Sequence, residues 1–187
     1  MSLPLNGLTV LVTRPEHQAG PLCQLIEQHG GYPIRCPALV IGEPQDWTPA
    51  LAVLDRLDRY DLAIFTSANA VDRAMPLIQQ RGGLPPRLEI TAIGKATAQA
   101  LARHRITPHL QPAQGFTSET LLALLRFQPE AVNGQAMLIV RGEGGRGLLA
   151  ETLSARGAYV DHAEVYRRER PTTDITALLE RWRRSQI

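Results

Sequence analysis

The stretch from Tyr60 to Val71, Y-D-L-A-I-F-T-S-A-N-A-V, changes from apolar to small and polar residues in its middle. Its apolar run, 62–65, is typical of a short strand that is covered on both faces of a parallel sheet. The run ends at Thr66 and Ser67, and a hydroxyl side chain after a strand commonly caps the helix that follows. The stretch therefore predicts a strand, a short junction and a helix that begins at Ala68.

The same alternation of strands and helices extends in both directions along the chain. Strands are predicted at 8–13, 62–65, 88–92, 136–140 and 159–166, with a weak strand at 108–111. Helices are predicted at 68–80, 96–102, 118–125 and 148–155, with one more around Leu22, Leu25 and Ile26 and another at 175–182. Regular alternation of this kind indicates right-handed βαβ units and a parallel α/β sheet.

Two proline-marked stretches interrupt this alternation and predict the domain organisation. The residues around Pro33 and Pro37 and those from Arg167 to Pro171 are typical of extended linkers rather than of a sheet interior. They divide the chain into a continuous α/β lobe with flanking linker strands, 36–171, and a partial split lobe, 1–35 and 172–187. The split lobe has too few elements to cover a parallel strand on both faces, so either it is incomplete or another chain completes it.

The composition predicts a soluble globular protein with one ordinary domain or two small ones. The 187 residues are 44% hydrophobic and 20% charged, and the formal net charge is +2. Such a balance does not indicate a nucleic-acid partner, and no apolar run approaches the ~18 residues that span a bilayer. Cys23 and Cys36 have no C-x-x-C spacing and no signal peptide precedes them, which predicts a reducing, cytoplasmic location. The five histidines show no ligand spacing, so no metal site is predicted.

The glycine-rich stretch from Arg141 to Gly147, R-G-E-G-G-R-G, follows a predicted strand and opens a predicted helix. It matches the G-x-G-x-x-G pattern of dinucleotide-binding loops. Against that interpretation, Glu143 places a carboxylate where a pyrophosphate would bind, and this βα unit is the last of its lobe. Two other interpretations remain open: a tight turn that needs glycine, or a loop whose amides, aided by Arg146, hold a carboxylate.

Glycine and hydroxyl residues recur where predicted strands pass into helices. Ser67 has neither the glycine-flanked elbow of a hydrolase nor a histidine at triad spacing, so a nucleophile is not favoured. Similar junctions occur at 94–97, G-K-A-T, and at 116–118, F-T-S. Because open α/β sheets bind ligands at the carboxyl ends of their strands, these junctions predict a row of amides and hydroxyls that face an anion. Tyr166 ends the last predicted strand, where its ring can fill the core while its hydroxyl faces a cleft.

Seven short motifs, weak one by one, are specific in their order and spacing. They are V-T-R-P-E-H-Q at 12–18, F-T-S-A-N-A-V at 65–71, A-I-G-K-A-T-A-Q-A-L at 92–101, F-T-S-E-T-L-L at 116–122, I-V-R-G-E-G-G-R at 139–146, R-G-A-Y-V at 156–160 and E-V-Y-R-R-E-R-P at 164–171. Together they resemble the uroporphyrinogen-III synthase family of tetrapyrrole and heme biosynthesis.

The resemblance implies an α/β fold: a complete flavodoxin-like parallel-sheet lobe, joined by a two-stranded linker to a second, incomplete flavodoxin-like lobe. It implies a hydro-lyase without cofactor or metal that cyclises hydroxymethylbilane, with loss of water and inversion of the terminal pyrrole ring. Tyr166 matches the family's cleft-facing tyrosine, the favoured candidate for assisting the departure of water. The substrate-binding positions are then Arg14, Thr66, Ser67, Ala68, Gly94, Thr97, Ser118 and Arg146. For Arg14, a structural salt bridge is an equally open interpretation.

The chain also departs from the family pattern, because it ends at Ile187 where the family continues with further strands and helices. The continuous lobe is then expected to be whole and the split lobe partial, so we expect this chain alone to be weakly active or inactive. The family is monomeric, whereas a dimer or an exchange of elements is an alternative for this chain. The alternative functions are a dinucleotide-binding enzyme that uses the loop from Gly142 to Gly147 and a non-catalytic ligand-binding lobe.

Overall fold

The apolar run of the opening stretch forms strand β4 (Leu62–Phe65), which is wholly buried in the computed structural model of the chain. The structure describes residues 3–172 and 175–183. β4 pairs in parallel with β5 (Glu89–Ala92) on one side and with β6 (Ala136–Gly142) on the other. β6 in turn pairs in parallel with β7 (Tyr159–Glu169), and with β3 (Val40–Gly42) at the edge the sheet has the order β3-β7-β6-β4-β5.

Helices connect and cover these strands, which makes the fold mixed α/β with parallel pairing. They are α2 (Thr48–Leu54), α3 (Ala68–Gln80), α4 (Lys95–Arg103), α5 (Ser118–Leu122), α6 (Pro129–Val132) and α7 (Leu148–Ala155), with 3₁₀ turns at Leu57–Arg59 and Leu125–Phe127. Leu62 and Ile64 of β4 pack in one cluster with Leu121 and Leu153, whereas α3 contacts β4 and β6. Because all four residues of β4 are buried, both faces of the strand are covered.

The predicted bounds of β4, α3 and the helix at 148–155 are confirmed, most other predicted elements differ by one to three residues at an end, and two differ in kind or length. The weak strand at 108–111 is a single isolated bridge between Leu110 and Thr91, in which Ala92 N–H donates to Leu110 O over 2.9 Å. The helix predicted at 118–125 ends at Leu122, because Leu125 is 87% exposed and starts a separate 3₁₀ turn. Among the described helices, none has the length and apolarity that crossing a membrane requires.

The chain divides into two compact units, and the sheet edge described below belongs to the unit formed by residues 43–167. The other unit comprises 1–42 and 168–187. It contains β1 (Thr9–Val12), α1 (Glu16–Gln28) and β2 (Tyr32–Arg35), and β1 pairs in parallel with β2.

The prediction of an extended linker around Pro33 and Pro37 was wrong at Pro33, and the linker predicted from Arg167 begins within β7, which extends to Glu169. Pro33 lies within β2, opposite Val10 of β1. Within the described residues this sheet has two strands, so β2 is an edge strand there, where a residue without an N–H donor is tolerated. The last described helix of the chain is α8 (Thr176–Arg183). Of the predicted split lobe, residues 1–2, 173–174 and 184–187 lie outside the described residues.

Candidate active site

The carboxyl ends of three neighbouring strands align at one edge of the sheet. Phe65, the last residue of β4, is in register with Ala92 of β5 and with Val140 of β6. The chain passes from β4 to β5 on one side and later returns to β6 on the other, so the strand order reverses between β4 and β6. Open α/β sheets bind ligands in the crevice that such a reversal creates at the carboxyl edge.

Two hydroxyl groups meet at this edge. Ser67 is the N-cap of α3 and its Oγ accepts a hydrogen bond from the N–H of Ala70 over 3.0 Å. The same Oγ lies 3.1 Å from the hydroxyl of Tyr166, and either group can be the donor of that hydrogen bond. Tyr166 is only 2% exposed, so its ring is core and its hydroxyl reaches the junction after β4. The predicted packing of the Tyr166 ring in the core is confirmed, whereas a cleft-facing role for its hydroxyl stays a prediction.

Thr66, Ala68 and Gly94 lie at strand-to-helix junctions, whereas Ser118 begins a helix that follows the isolated bridge at Leu110. Thr66 donates both its N–H and its hydroxyl to the carbonyl of Val140, over 3.1 and 3.2 Å, and so joins β4 to β6. Ala68 is the first residue of α3, and Ser118 is the first residue of α5 after the capping residue Thr117. Gly94 is the N-cap of α4, where no side chain caps the first turn.

Thr97 and Lys95 lie in the first turn of α4. Thr97 is 3% exposed, which makes it one of the buried polar residues of the described chain. Lys95 is exposed, and its Nζ lies 5.6 Å from the ring centroid of Phe116. The sequence prediction included Gly94 and Thr97 but not this ammonium group beside them. At the start of α4, backbone amides that no side chain caps therefore lie next to a positive charge. This combination suits the binding of a carboxylate.

Arg146 already holds a carboxylate, that of Glu119. Its Nη1 donates to Glu119 Oε1 over 2.8 Å, and both side chains are exposed. The backbone N–H of Glu119 itself, and then the Arg146 guanidinium, hold the pKa of the Glu119 carboxyl below its ordinary value. This ion pair connects the loop after β6 to the start of α5. Arg14 is exposed after β1 and belongs to the other unit, so it is described apart from this edge.

The glycine-rich loop pairs its polar groups with the protein itself. The Glu143 carboxylate accepts the N–H of Gln45 over 2.6 Å, and the Glu143 N–H donates to the carbonyl of Tyr166 over 2.8 Å. Gly144 has a φ of +66°, in the left-handed region that glycine enters without strain. Gly147 lies against the Glu151 carboxylate, at the beginning of α7. These contacts favour the interpretation of a tight strand-to-helix turn.

A pocket of about 270 Å³ lies beside β7, and sequence reasoning did not find it. It is lined by Asp46, Pro49, Ala50, Arg141, Glu143, His162 and Glu164. Burial, and then the nearby Arg141 charge, lower the pKa of His162, whose Nδ1 is buried without a hydrogen-bond partner in the described part of the chain. The sequence signal that could have indicated this pocket was the spacing of His162 and Glu164, which are two residues apart in β7 and so lie on the same face of the strand. Residues 3–172 and 175–183 contain no group of three or more His, Cys, Asp or Glu placed to hold a metal ion.

Comparison with known proteins gives consistent matches over most of the chain. A family profile described as "Uroporphyrinogen-III synthase HemD" matches residues 21–187. A uroporphyrinogen-III synthase of Proteus mirabilis is 35% identical over 165 residues, which cover 86% of this chain and 80% of that protein. The Escherichia coli K12 enzyme of that name is 35% identical over 182 residues, 96% of this chain and 73% of that protein. None of these descriptions supports the dinucleotide alternative.

Solved structures with the same fold carry the same description. A crystal structure of a mutant uroporphyrinogen III synthase from the extremely thermophilic bacterium Thermus thermophilus superposes with a TM-score of 0.65, at 19% identity, and covers 97% of this chain and 70% of that one. The wild-type enzyme in another crystal form gives a TM-score of 0.56. This chain spans 64% of the length of a uroporphyrinogen-III synthase of Synechococcus elongatus, to which it is 31% identical. The profile match and the 35% identical relatives show that the chain belongs to the uroporphyrinogen-III synthase family.

Proposed function

We propose that this chain carries the catalytic edge of a uroporphyrinogen-III synthase, which cyclises hydroxymethylbilane with loss of water and inversion of the terminal pyrrole ring. The observation that carries the proposal is the pair of hydroxyls of Tyr166 and Ser67, 3.1 Å apart at the carboxyl edge of the sheet. Loss of a hydroxyl as water needs a proton donor of moderate strength at a fixed position. A phenol held by a hydrogen bond meets that requirement without metal or cofactor.

Ser67 can orient the phenol of Tyr166 by donating to it, because either hydroxyl can be the donor of their hydrogen bond. Its Oγ already accepts the N–H of Ala70, and its own proton can be donated to the oxygen of Tyr166. In that arrangement Tyr166 accepts from Ser67, and the proton of the phenol is not used in this bond. That proton can then assist the departing hydroxyl of the substrate. Tyr166 is the catalytic residue in this proposal, and Ser67 orients it and contacts the substrate.

The remaining site residues bind the carboxylates of the substrate, which bears eight of them. The start of α4 offers amides that no side chain caps, with Lys95 and the buried Thr97 in the same turn. Thr66, Ala68 and Ser118 present the neighbouring junctions. Arg146 binds a substrate carboxylate by exchanging it for that of Glu119, which keeps the guanidinium paired in the free protein. Arg14, a residue of the other unit, stays a predicted carboxylate-binding residue.

The proposal includes an architecture and a location. Strands β4 to β7 have the order β5-β4-β6-β7, which is that of the first four strands of a flavodoxin-like sheet. We assign this sheet to a flavodoxin-like lobe, within 36–171, and residues 1–35 and 172–187 to part of a second lobe of the same type, with linker strands between them. The two cysteines of the chain are free thiols, which agrees with a cytoplasmic location.

The product assay separates this proposal from a non-catalytic lobe. The chain is incubated with hydroxymethylbilane, and the two uroporphyrinogen isomers are separated, since isomer I forms spontaneously and isomer III requires the enzyme. Isomer III above the background, reduced by Tyr166→Phe, supports the proposal. Tyr60→Phe is the matched control, because Tyr60 is also a buried phenol, bound to Asp161, but lies before β4 at the opposite edge of the sheet.

The negative outcomes of this assay are distinct. In the first, the chain binds uroporphyrinogen III without turnover, and Ser67→Ala and Arg146→Gln weaken that binding. This outcome would favour a carboxylate-binding lobe without catalysis. Isomer I alone, together with no binding of uroporphyrinogen III, would contradict the proposed function.

A further inference from the structure

Tyr166 reaches a residue that lies two strands away. It belongs to β7, its hydroxyl partner Ser67 follows β4, and β6 lies between these strands in the sheet. Neighbouring strands are about 4.8 Å apart, so β7 and β4 are separated by roughly 10 Å. A tyrosine side chain covers such a span only by lying across the end of the intervening strand. The size of the side chain on β6 at the crossing point therefore decides whether the Tyr166 hydroxyl can reach Ser67.

Gly142 stands at that crossing point. A Cβ atom on Gly142 would lie 2.5 Å from Cζ of Tyr166, 2.6 Å from Cε2 and 3.0 Å from Cε1. These are atoms of the outer half of a rigid ring whose residue is only 2% exposed, so the ring has no open space into which to move. The φ of Gly142 is not in the left-handed region, so the backbone alone would admit any residue. The requirement for glycine comes from the tyrosine ring.

A β-bulge brings the two residues opposite each other. Arg141 pairs with Glu164, but the next residue, Gly142, pairs with Tyr166, so Val165 is the extra residue of β7. A bulge re-aims the side chains that follow it, and bulges are frequent beside active sites. After the bulge, the Glu143 N–H donates to the carbonyl of Tyr166 over 2.8 Å and fixes the backbone there. Without the shift, Val165 would face Gly142.

We propose that Gly142 is a positioning residue for Tyr166: by leaving no side chain at the end of β6, it lets the ring cross that strand and place its hydroxyl against Ser67. This inference rests on the proposed function for its catalytic consequence but not for its geometry. It also assigns the first glycine of the G-x-G-x-x-G pattern a role that involves no nucleotide. The same position that a dinucleotide loop would use for its tight turn here accommodates a phenol ring.

The test follows the Tyr166 hydroxyl directly by NMR. The chain is labelled with ¹³Cζ-tyrosine, and the signal of Tyr166 among the four tyrosines is assigned with Tyr166→Phe. In the wild-type chain, Ser67→Ala shifts this signal because the hydrogen bond is lost. In Gly142→Ala we expect the signal to be displaced already and to respond little to Ser67→Ala. Gly147→Ala is the control within the same loop, since a Cβ there meets only the flexible end of Glu151.

The catalytic readout is made on the same variants. We expect Gly142→Ala to lower kcat for isomer III by roughly 10- to 100-fold with little change in KM, because a displaced catalytic group costs rate rather than binding. Gly147→Ala should leave both constants near those of the wild type. If the wild-type chain forms no isomer III and does not bind uroporphyrinogen III, the proposed function fails, and the NMR comparison still decides the positioning role.

A second background keeps the inference testable if Gly142→Ala does not fold. In a Tyr166→Leu chain the ring is absent, so the added methyl group of Gly142→Ala should no longer lower the melting temperature. A double variant as stable as Tyr166→Leu supports the inference. A Tyr166 signal in Gly142→Ala that is unchanged and still responds to Ser67→Ala would overturn it, and so would an equal loss of melting temperature in both backgrounds.

Discussion

Replacing Ser67 with alanine removes two hydrogen bonds that the structure assigns to one oxygen. The first is the N-cap bond from Ala70 N–H, whose loss typically costs ~1 kcal/mol. The second is the bond to the hydroxyl of Tyr166, and a typical intramolecular hydrogen bond contributes about 1 kcal/mol net. We therefore expect Ser67→Ala to lower the free energy of unfolding by ~2 kcal/mol. For a chain of this size that corresponds to a melting temperature lower by roughly 4–8 °C.

Two further variants separate these contributions. Ser67→Gly loses the same hydroxyl, but glycine is itself tolerated at an N-cap and costs the helix only a few tenths of a kcal/mol. Tyr166→Phe removes the other partner of the inter-strand bond and leaves the cap bond to Ala70 intact. Urea denaturation of the single variants and of Ser67→Ala/Tyr166→Phe gives a double-mutant cycle. We expect a coupling energy of about 0.5–1.5 kcal/mol between the two hydroxyls.

If the stability losses of Ser67→Ala and Tyr166→Phe simply add, the double-mutant cycle contradicts a hydrogen bond between the two hydroxyls. Residues in contact show coupling, whereas independent residues add to within about 0.3–0.5 kcal/mol. Additivity would mean that the Ser67 and Tyr166 hydroxyls do not interact in solution, and both the orientation of the phenol by Ser67 and the positioning role of Gly142 would lose their support. Equal melting temperatures for Ser67→Ala and Ser67→Gly would show instead that the cap contributes nothing.

The other predictions concern the core of the same unit. Arg126, whose side chain is 22% exposed, binds Glu89, Gln135 and the carbonyl of Ala131. Arg126→Ala should therefore lower the free energy of unfolding, measured by urea denaturation, by ~2–3 kcal/mol. Replacing the exposed Arg103 with alanine should lower it by less than ~1 kcal/mol. Burial, and then the Asp161 carboxylate, raise the pKa of Tyr60 to about 12. Because an unfolded phenol ionises near ~10, stability should fall as the pH rises from ~10 to ~12, and Tyr60→Phe should abolish that loss. His162 has a lowered pKa, so stability should fall as the pH drops below ~6.5, and less so in His162→Gln.

The elements that sequence reasoning predicted best are those whose signals are local. β4 and α3 have the predicted bounds because a β-branched and aromatic run stops at a hydroxyl residue that caps the next helix. Sequence reasoning misses the strand β2 because proline commonly marks a linker, although it also fits the edge of a sheet, and β2 is an edge strand among the described residues. The helix α2 was also missed, since its seven residues are too few for a clear period.

The candidate site depends on contacts that no local pattern encodes. Ser67 and Tyr166 are 99 residues apart in sequence, and their meeting depends on strand order and on the bulge at Val165. The sequence placed both residues at strand ends and therefore at the same edge, but it could not indicate that their hydroxyls bond. Arg146 illustrates the same limit: its charge predicted a carboxylate partner, and the partner that the fold supplies is Glu119 of the chain itself.

The hydroxyl pair also links the stability of the fold to the proposed chemistry. The Oγ that orients the phenol is the same atom that caps α3, and the ring that carries the phenol fills the space left by Gly142. A substitution that adds or removes side-chain volume at the site therefore also alters the packing of β6 and β7. Its loss of activity would combine the effect on the chemistry with the effect on the fold. Replacements that remove a single hydroxyl, such as Tyr166→Phe, keep the ring in place. A large fall in turnover of that variant, with a melting temperature lower by only ~2–4 °C from the lost hydrogen bond to Ser67, would therefore assign the phenol to the chemistry rather than to the fold.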